Sequence, residues 1–267
     1  MEKKNLCVAF STQKGGAGKT TLTVLVASYL HYVKGYDVAV VDCDYPQYSI
    51  AEMRDRDLRM ATEDDRYKTM AYEQFTRLNK KMYPVVRSLP EKAAETGRTL
   101  MEKGKYDFIF FDLPGTVNKE GVIYTLSLMD YIFSPISADR VVLESTLRFA
   151  SRLKEKIVDS GKSRIRGLHL IWNMVDGREK SELYTVYEQV IAQLGLDVLK
   201  TFLPDSKRFR RELPTDRKAL FRSTIFPADR SLLKGSNLEP LVDEILAQIK
   251  CITAILGKRG IYPRKLR

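Results

Sequence analysis

Residues 11 to 21 read Ser-Thr-Gln-Lys-Gly-Gly-Ala-Gly-Lys-Thr-Thr and lie between two apolar runs, Leu6 to Phe10 and Leu22 to Leu30. The first run has the length of a buried strand and the second continues as a helix, so the glycines fall at a strand-to-helix turn. Glycine there lets the backbone curl with its N–H groups pointing inward, and the helix opening near Lys19 adds the positive end of its dipole. Both features favour an anion. The pattern makes Gly15, Gly16, Ala17, Gly18, Lys19, Thr20 and Thr21 a phosphate cradle, with Lys19 reaching the β- and γ-phosphates of a nucleotide and the Thr20 hydroxyl a ligand of Mg²⁺.

Two later strands are expected to bring carboxylates to the same edge. Asp37 to Val41 is apolar in its centre and runs into Asp42-Cys43-Asp44-Tyr45-Pro46-Gln47, and Phe108 to Phe111 runs into Asp112. In an open α/β sheet, the C-terminal ends of the strands form the ligand edge. Further strands are expected at Asp130–Ser137, Gly167–Trp172 and Asp197–Leu203, with a short one in Pro84–Leu89. At least six short apolar strands separated by helical segments predict one α/β domain: a mainly parallel twisted sheet with helices on both faces. A helix is expected from about Val142 to Asp159, ending near Gly161. Another carries Leu241, Val242, Ile245, Leu246, Ile249 and Ile252 at helical spacing and should pack on the sheet. The segment 49–105 is polar and charge-rich, and reads as solvated helices at the sheet edge.

The 267 residues carry a formal net charge of +11, which suits polyanionic partners such as nucleic acid or anionic lipid headgroups and is also compatible with a merely solvated basic surface. No apolar run approaches the ~18 residues of a membrane span, and Met1-Glu2-Lys3-Lys4 enters a core strand instead of a signal-peptide core, so a cytoplasmic protein is expected. Cys7, Cys43 and Cys251 are far apart and without Cys-x-x-Cys spacing, which argues against disulfides and against zinc or iron–sulfur sites. His31 and His169, the only histidines, read as structural residues in a helix and a strand.

A strict phosphate loop has Gly where this chain has Gln13, and a second lysine, Lys14, stands directly before Gly15-Gly16. In this the sequence resembles the deviant Walker A motif of the ParA/MinD family of ATPases, and the Gln-Lys-Gly-Gly form is similar to its ParA branch. Asp42 and Asp44 resemble the first switch of that family and Asp112 its Walker B aspartate. Asn173, at the end of a strand, and Leu203-Pro204 resemble its base-binding elements. The resemblance spans about Asn5 to Ile249, with the motifs in family order. It implies a P-loop ATPase domain over residues 1–257, with ATP and Mg²⁺ as ligands. Lys14, Lys19 and Asp44 would be catalytic, Lys14 acting across a dimer interface and Asp44 on the attacking water. Thr20, Asp42 and Asp112 would organise Mg²⁺, Asn173 would read adenine, and Pro204 would wall the base. Partners implied are a second copy on ATP binding, nonspecific DNA, and a DNA-bound protein that stimulates hydrolysis.

Two departures are visible. Tyr45 is inserted between Asp44 and Pro46, and Leu113-Pro114-Gly115-Thr116 differs from what usually follows the Walker B aspartate. Lys207, Arg208, Arg210, Arg211, Arg217, Lys218 and Arg222 make the stretch from Lys200 to Arg222 basic, and relatives bind DNA through this part of the chain. Arg208, Arg210 and Arg211 are therefore the expected DNA contacts, and a solvated, partly salt-bridged surface is the competing reading. With the loop beginning at residue 13, no helix-turn-helix segment is expected ahead of it. The tail 258–267 is basic but interrupted by Gly260 and Pro263, which disfavours a membrane-targeting helix. A MinD-like membrane-associated positioning ATPase and a non-hydrolysing nucleotide-switched scaffold remain the alternatives.

Overall fold

The apolar runs form β1 (Leu6–Phe10), β2 (Val38–Asp42), β3 (Val85–Arg87), β4 (Phe108–Asp112), β5 (Tyr131–Ile136), β6 (Gly167–Trp172) and β7 (Asp197–Val198). The computed structural model describes residues 5–104, 106–115, 120–159, 161, 163–178, 181–212 and 219–259. The strands make one sheet of seven in the order β3-β2-β4-β1-β5-β6-β7, and every pairing is parallel. The expected architecture, a parallel sheet covered on both faces, is the one observed.

The helices are α1 (Lys19–Tyr32), α2 (Ser49–Glu63), α3 (Asp65–Leu78), α4 (Ala93–Lys103), α5 (Glu120–Ser127), α6 (Arg140–Leu153), α7 (Ser181–Gln193), α8 (Arg230–Leu233) and α9 (Leu238–Arg259). Alternation along the strands divides the core into two layers. Val8, Phe10, Val40, Phe110 and Phe133 face α1 and α9, while Cys7, Ala9, Val41, Ile109 and Ile132 face α4, α5 and α6. β1 lies between β4 and β5, with later strands added on both sides, so the loop after it opens at the point where the strand order reverses.

Three expectations are corrected in detail. The strand expected over 197–203 stops at Val198, because the amides of Lys200 and Thr201 donate to the Glu244 carboxylate of α9, each at 2.8 Å, instead of continuing a ladder. Helix α6 ends at Leu153 and passes into a wider π turn over Lys154–Val158, with Gly161 at φ 69° closing the region. The segment 49–105 is more than a solvated edge. Asp57 of α2 is buried and accepts hydrogen bonds from the Thr224 amide (2.7 Å), the Thr224 hydroxyl (2.7 Å) and the Ser223 hydroxyl (2.9 Å). Arg54 donates to the carbonyls of Tyr83 and Thr224, and the Tyr83 hydroxyl meets Ser28 of α1 at 2.9 Å.

Burial raises the pKa of Asp57, against the opposing pull of the Thr224 and Ser223 donors. Replacing it with alanine leaves those buried donors without their acceptor. Asp57→Ala is expected to destabilise the fold by about 3 kcal/mol, measured by urea unfolding of the nucleotide-free chain. A change under about 0.5 kcal/mol, the size of an ordinary surface substitution, would show that the network contributes nothing. The histidines are structural as expected: His31 lies between the carbonyls of Tyr36 (3.0 Å) and Lys81 (2.9 Å), and His169 pairs with Asp197 at 2.6 Å.

Candidate nucleotide-binding site

The turn after β1 is fixed before it reaches the glycines. The Ser11 amide donates to Phe133 of β5 (3.0 Å), the Ser134 hydroxyl donates to the Ser11 carbonyl (2.7 Å), and Thr12 meets Thr146 of α6 at 2.8 Å. From there Gly16 (φ 78°) and Gly18 (φ 93°) adopt backbone conformations that a side chain would strain. Gly18 is the residue that caps α1, and it offers no side chain to the helix amides. The first turn of α1 also holds no acidic residue, so its positive end is open to an external anion. A Cβ at Gly15 or Gly16 would meet nothing within 4 Å, whereas one at Gly18 would come within 2.5 Å of the Asn173 amide nitrogen.

Around this loop is a cleft of about 430 Å³. It is lined by Gly15, Gly16, Gly18, Lys19, Thr20 and Thr21 of the loop and α1, and also by Asp44, Gly115, Asn173 and Pro204. The Lys19 ammonium donates to the Lys14 carbonyl (3.2 Å). Desolvation lowers its pKa, while Asp112 and Asp44 act in the opposite direction. Gly115 closes over it: a Cβ there would lie 3.3 Å from Lys19 Nζ and 3.1 Å from the Gln13 carbonyl. Lys14 is half-buried, and its own ammonium makes no hydrogen bond or ion pair among the described residues.

Asp112 is fully buried, accepts from the Thr20 hydroxyl at 2.8 Å through Oδ2, and among the described residues has no partner for Oδ1. Burial pushes its pKa up to about 7. The Thr20 hydrogen bond opposes this, the nearby Asp42 and Asp44 add to it, and Lys19 opposes it. An orphaned carboxylate oxygen beside a threonine hydroxyl, among like charges, fits a divalent cation. Among the described residues no group of three or more His, Cys, Asp or Glu could hold a metal alone. Mg²⁺ would therefore take part of its shell from phosphate and water, and it would supply charge neutralisation.

The Asp42 carboxylate is held by backbone amides. Its Oδ2 accepts from the amides of Ile50 and Ala51 (2.9 Å each), and its Oδ1 accepts from the Asp44 amide (3.2 Å). It thus caps the first turn of α2 and fixes the start of the turn that follows β2. The inserted Tyr45 is absorbed in the turn over residues 45–48, where its exposed ring meets Tyr48 edge-on at 5.9 Å and the Tyr48 amide donates to the Asp44 carbonyl. Asp44 still lines the cleft.

Asn173 follows β6 directly and is buried, with its amide donating to the Ala17 carbonyl (2.9 Å), so it ties the end of β6 to the phosphate loop. Pro204 is held to Val175 through an isolated parallel bridge and borders the cleft.

The three arginines expected at a DNA surface do not behave alike. Arg208 is turned to the fold, donating through Nη1 to the carbonyls of Leu232 (2.9 Å) and Lys234 (2.7 Å) and through Nε to Ser206 (3.1 Å). Arg210 borders the cleft, and Arg211 is exposed. Arg217 and Lys218, and the tail from 260 onward, lie outside the described residues. The sequence reading did not place Arg210, Phe209, Met174 or Arg222 in the cleft, where the structure puts them. Met174 follows Asn173 directly, while the glycine-loop motif supplies no signal for Phe209, Arg210 and Arg222, which reach the cleft from segments far along the chain.

Known proteins share this fold. A protein of Borreliella burgdorferi of unassigned function is 26% identical over an alignment covering 86% of this chain and 96% of that one. Among solved structures, a plasmid partition protein of Borrelia burgdorferi bound to AMPPNP superposes with a TM-score of 0.58 at 16% identity, over 92% of this chain and all of that one. The cell division ATPase MinD of Pyrococcus furiosus gives 0.59 at 19% identity, over 92% and 99% of the two chains. Apo McdA of Cyanthece gives 0.60 at 14%, over 92% and 100%. At these identities the superpositions speak for the fold. The model of the CobQ/CobB/MinD/ParA nucleotide-binding domain matches residues 8–217, so the chain belongs to that family.

Proposed function

We propose that this chain is a ParA-type ATPase that binds ATP and Mg²⁺ in the cleft, closes on a second copy, holds nonspecific DNA while closed, and lets go on hydrolysis. The observation that carries this reading is Lys14, a lysine in the phosphate loop whose ammonium has no partner among the described residues while its carbonyl positions Lys19. A cation next in sequence to the glycines of a phosphate site and unused among the described residues of its own chain is suited to a phosphate held by another. Plasmid partition by a Borrelia relative of the same fold gives the reading its biological setting.

In this scheme Lys19 and the α1 amides hold the phosphates, and Asp44 orients the attacking water and takes its proton. The bond from the γ-phosphorus to the bridging oxygen breaks, giving ADP and inorganic phosphate. Lys14 of each chain neutralises charge that develops on the phosphoryl group of the other, as an arginine finger does. Arg210 and Arg211 are the DNA contacts retained, Arg208 being occupied by carbonyls of its own fold. A DNA-bound protein that accelerates turnover completes the cycle, which runs in the cytoplasm on nucleoid DNA. Among the described residues no helix is long and apolar enough to cross a membrane.

Binding to a nonspecific duplex with ATP, with ADP and without nucleotide tests this reading. ATP-dependent binding is expected, and neutralising four to six phosphates would make log affinity fall against log salt with a slope of roughly −4 to −5. Equal binding in all three states would uncouple the basic surface from the cleft.

A further inference from the structure

Arg222 reaches the cleft from a segment that no motif marks. Its Nη1 donates to the Thr21 hydroxyl at 2.6 Å, its Nη2 donates to Glu212, and its Nε is buried without a partner among the described residues. The side chain is 18% exposed, so the charge is largely withdrawn from water. Its neutralisation is incomplete, because Glu212 is shared with Arg56 of α2. A guanidinium that lines the cleft, whose fork has more N–H donors than these two bonds use and whose counter-charge is divided, has capacity for one more anion.

Its backbone is held in place as well. The residues that follow, Ser223 and Thr224, are the ones fastened to Asp57 and Arg54 of α2, and the Arg222 amide donates to the Arg211 carbonyl (2.8 Å). The guanidinium is thus presented to the cleft by a rigid support, which favours a binding group over a mobile surface arginine.

The proposed reading of the cleft says which anion. In it Lys19 and Thr20, beside Asp112, take the β- and γ-phosphates and Mg²⁺, and Asn173 and Pro204 take the base. Thr21 is the next residue of α1 after Thr20, and it is the residue Arg222 touches. The phosphate that joins the two ends is the one carrying the ribose.

We propose that Arg222 binds the α-phosphate of the nucleotide, beside Thr21. The proposal rests on the nucleotide reading of the cleft and adds to it a recognition group outside the phosphate loop. Because ATP and ADP both carry an α-phosphate, Arg222 sets affinity for both and does not distinguish between them.

The test is equilibrium titration of ATP and ADP, with Mg²⁺, into the full chain and three variants. Arg222→Ala is expected to weaken ATP and ADP by the same factor, roughly ten- to thirtyfold, the worth of a charge-assisted hydrogen bond. Arg222→Lys keeps the charge, loses the fork, and is expected to lose roughly three- to tenfold for both. A loss confined to ATP would place the guanidinium at the γ-phosphate and overturn the proposal, as would unchanged affinity for both. Melting of the nucleotide-free variants reports the fold, and if Arg222→Ala does not fold, Arg222→Lys decides alone, with wild-type affinity overturning the proposal. Lys19→Ala separates the two levels. Its binding both nucleotides like wild type would remove the nucleotide reading itself, whereas its losing them while the Arg222 variants do not would remove only this proposal.

Discussion

Replacing Lys14 with alanine is expected to cut ATP turnover by roughly 10³-fold or more, the range removed with an arginine finger supplied in trans, while ATP affinity stays within about threefold of wild type. The separation follows from the geometry. The Lys14 contact that orients Lys19 is made by its backbone carbonyl, which alanine retains, and its ammonium has no partner to lose among the described residues. Phosphate release and nucleotide titration on the same preparation measure the two quantities. If Lys14→Ala lost affinity and turnover together, the lysine would belong to the ground state of its own site, and the trans role would fail. Mixing the variant with wild type adds a second readout, since only a residue that acts on the partner makes turnover depend on the mixing ratio.

Asp44→Ala is expected to lower turnover by roughly 10²- to 10⁴-fold, the usual worth of a positioned general base, and to leave binding of ATP and ADP intact. Asp44 lines the cleft but is not needed to hold the loop or the cap of α2. Its backbone is placed by the Asp42 carboxylate (3.2 Å) and by the Tyr48 amide (2.8 Å), neither of which the substitution removes. The exposed position of Tyr45 leads to the same expectation for the wild type: the insertion lengthens a solvent-facing turn and leaves Asp44 at the cleft. Unchanged turnover in Asp44→Ala would assign the water to another group.

The phosphate loop, the strands and the position of Asp112 were legible in the sequence because each is set by neighbours in the chain. A glycine turn between two apolar runs needs no distant information, and a carboxylate at the end of a buried strand must emerge at the sheet edge. What the sequence withheld is set by contacts between remote residues. Arg222 and Thr21 are separated by 201 positions, and Asp57 finds Thr224 across 167. In sequence Asp57 is one acid among the interleaved charges of α2, with nothing to distinguish a buried anchor from a solvated face. Arg208 shows the converse. Its basic surroundings suggest a polyanion surface, yet the carbonyls of Leu232 and Lys234, brought beside it by α8, claim its guanidinium. The shortened β7 has a similar origin, since only the packing of α9 brings Glu244 to the amides that a longer strand would have used.

The central claim is that the cleft becomes complete only when two chains close on ATP. Light scattering on the Asp44→Ala chain, in which bound ATP should persist, tests it most directly. The account predicts the mass of two chains with ATP and Mg²⁺, of one chain with ADP or without nucleotide, and of one chain when Lys19→Ala is added. A single-chain mass in every state, with ATP shown by titration to be bound, would contradict it.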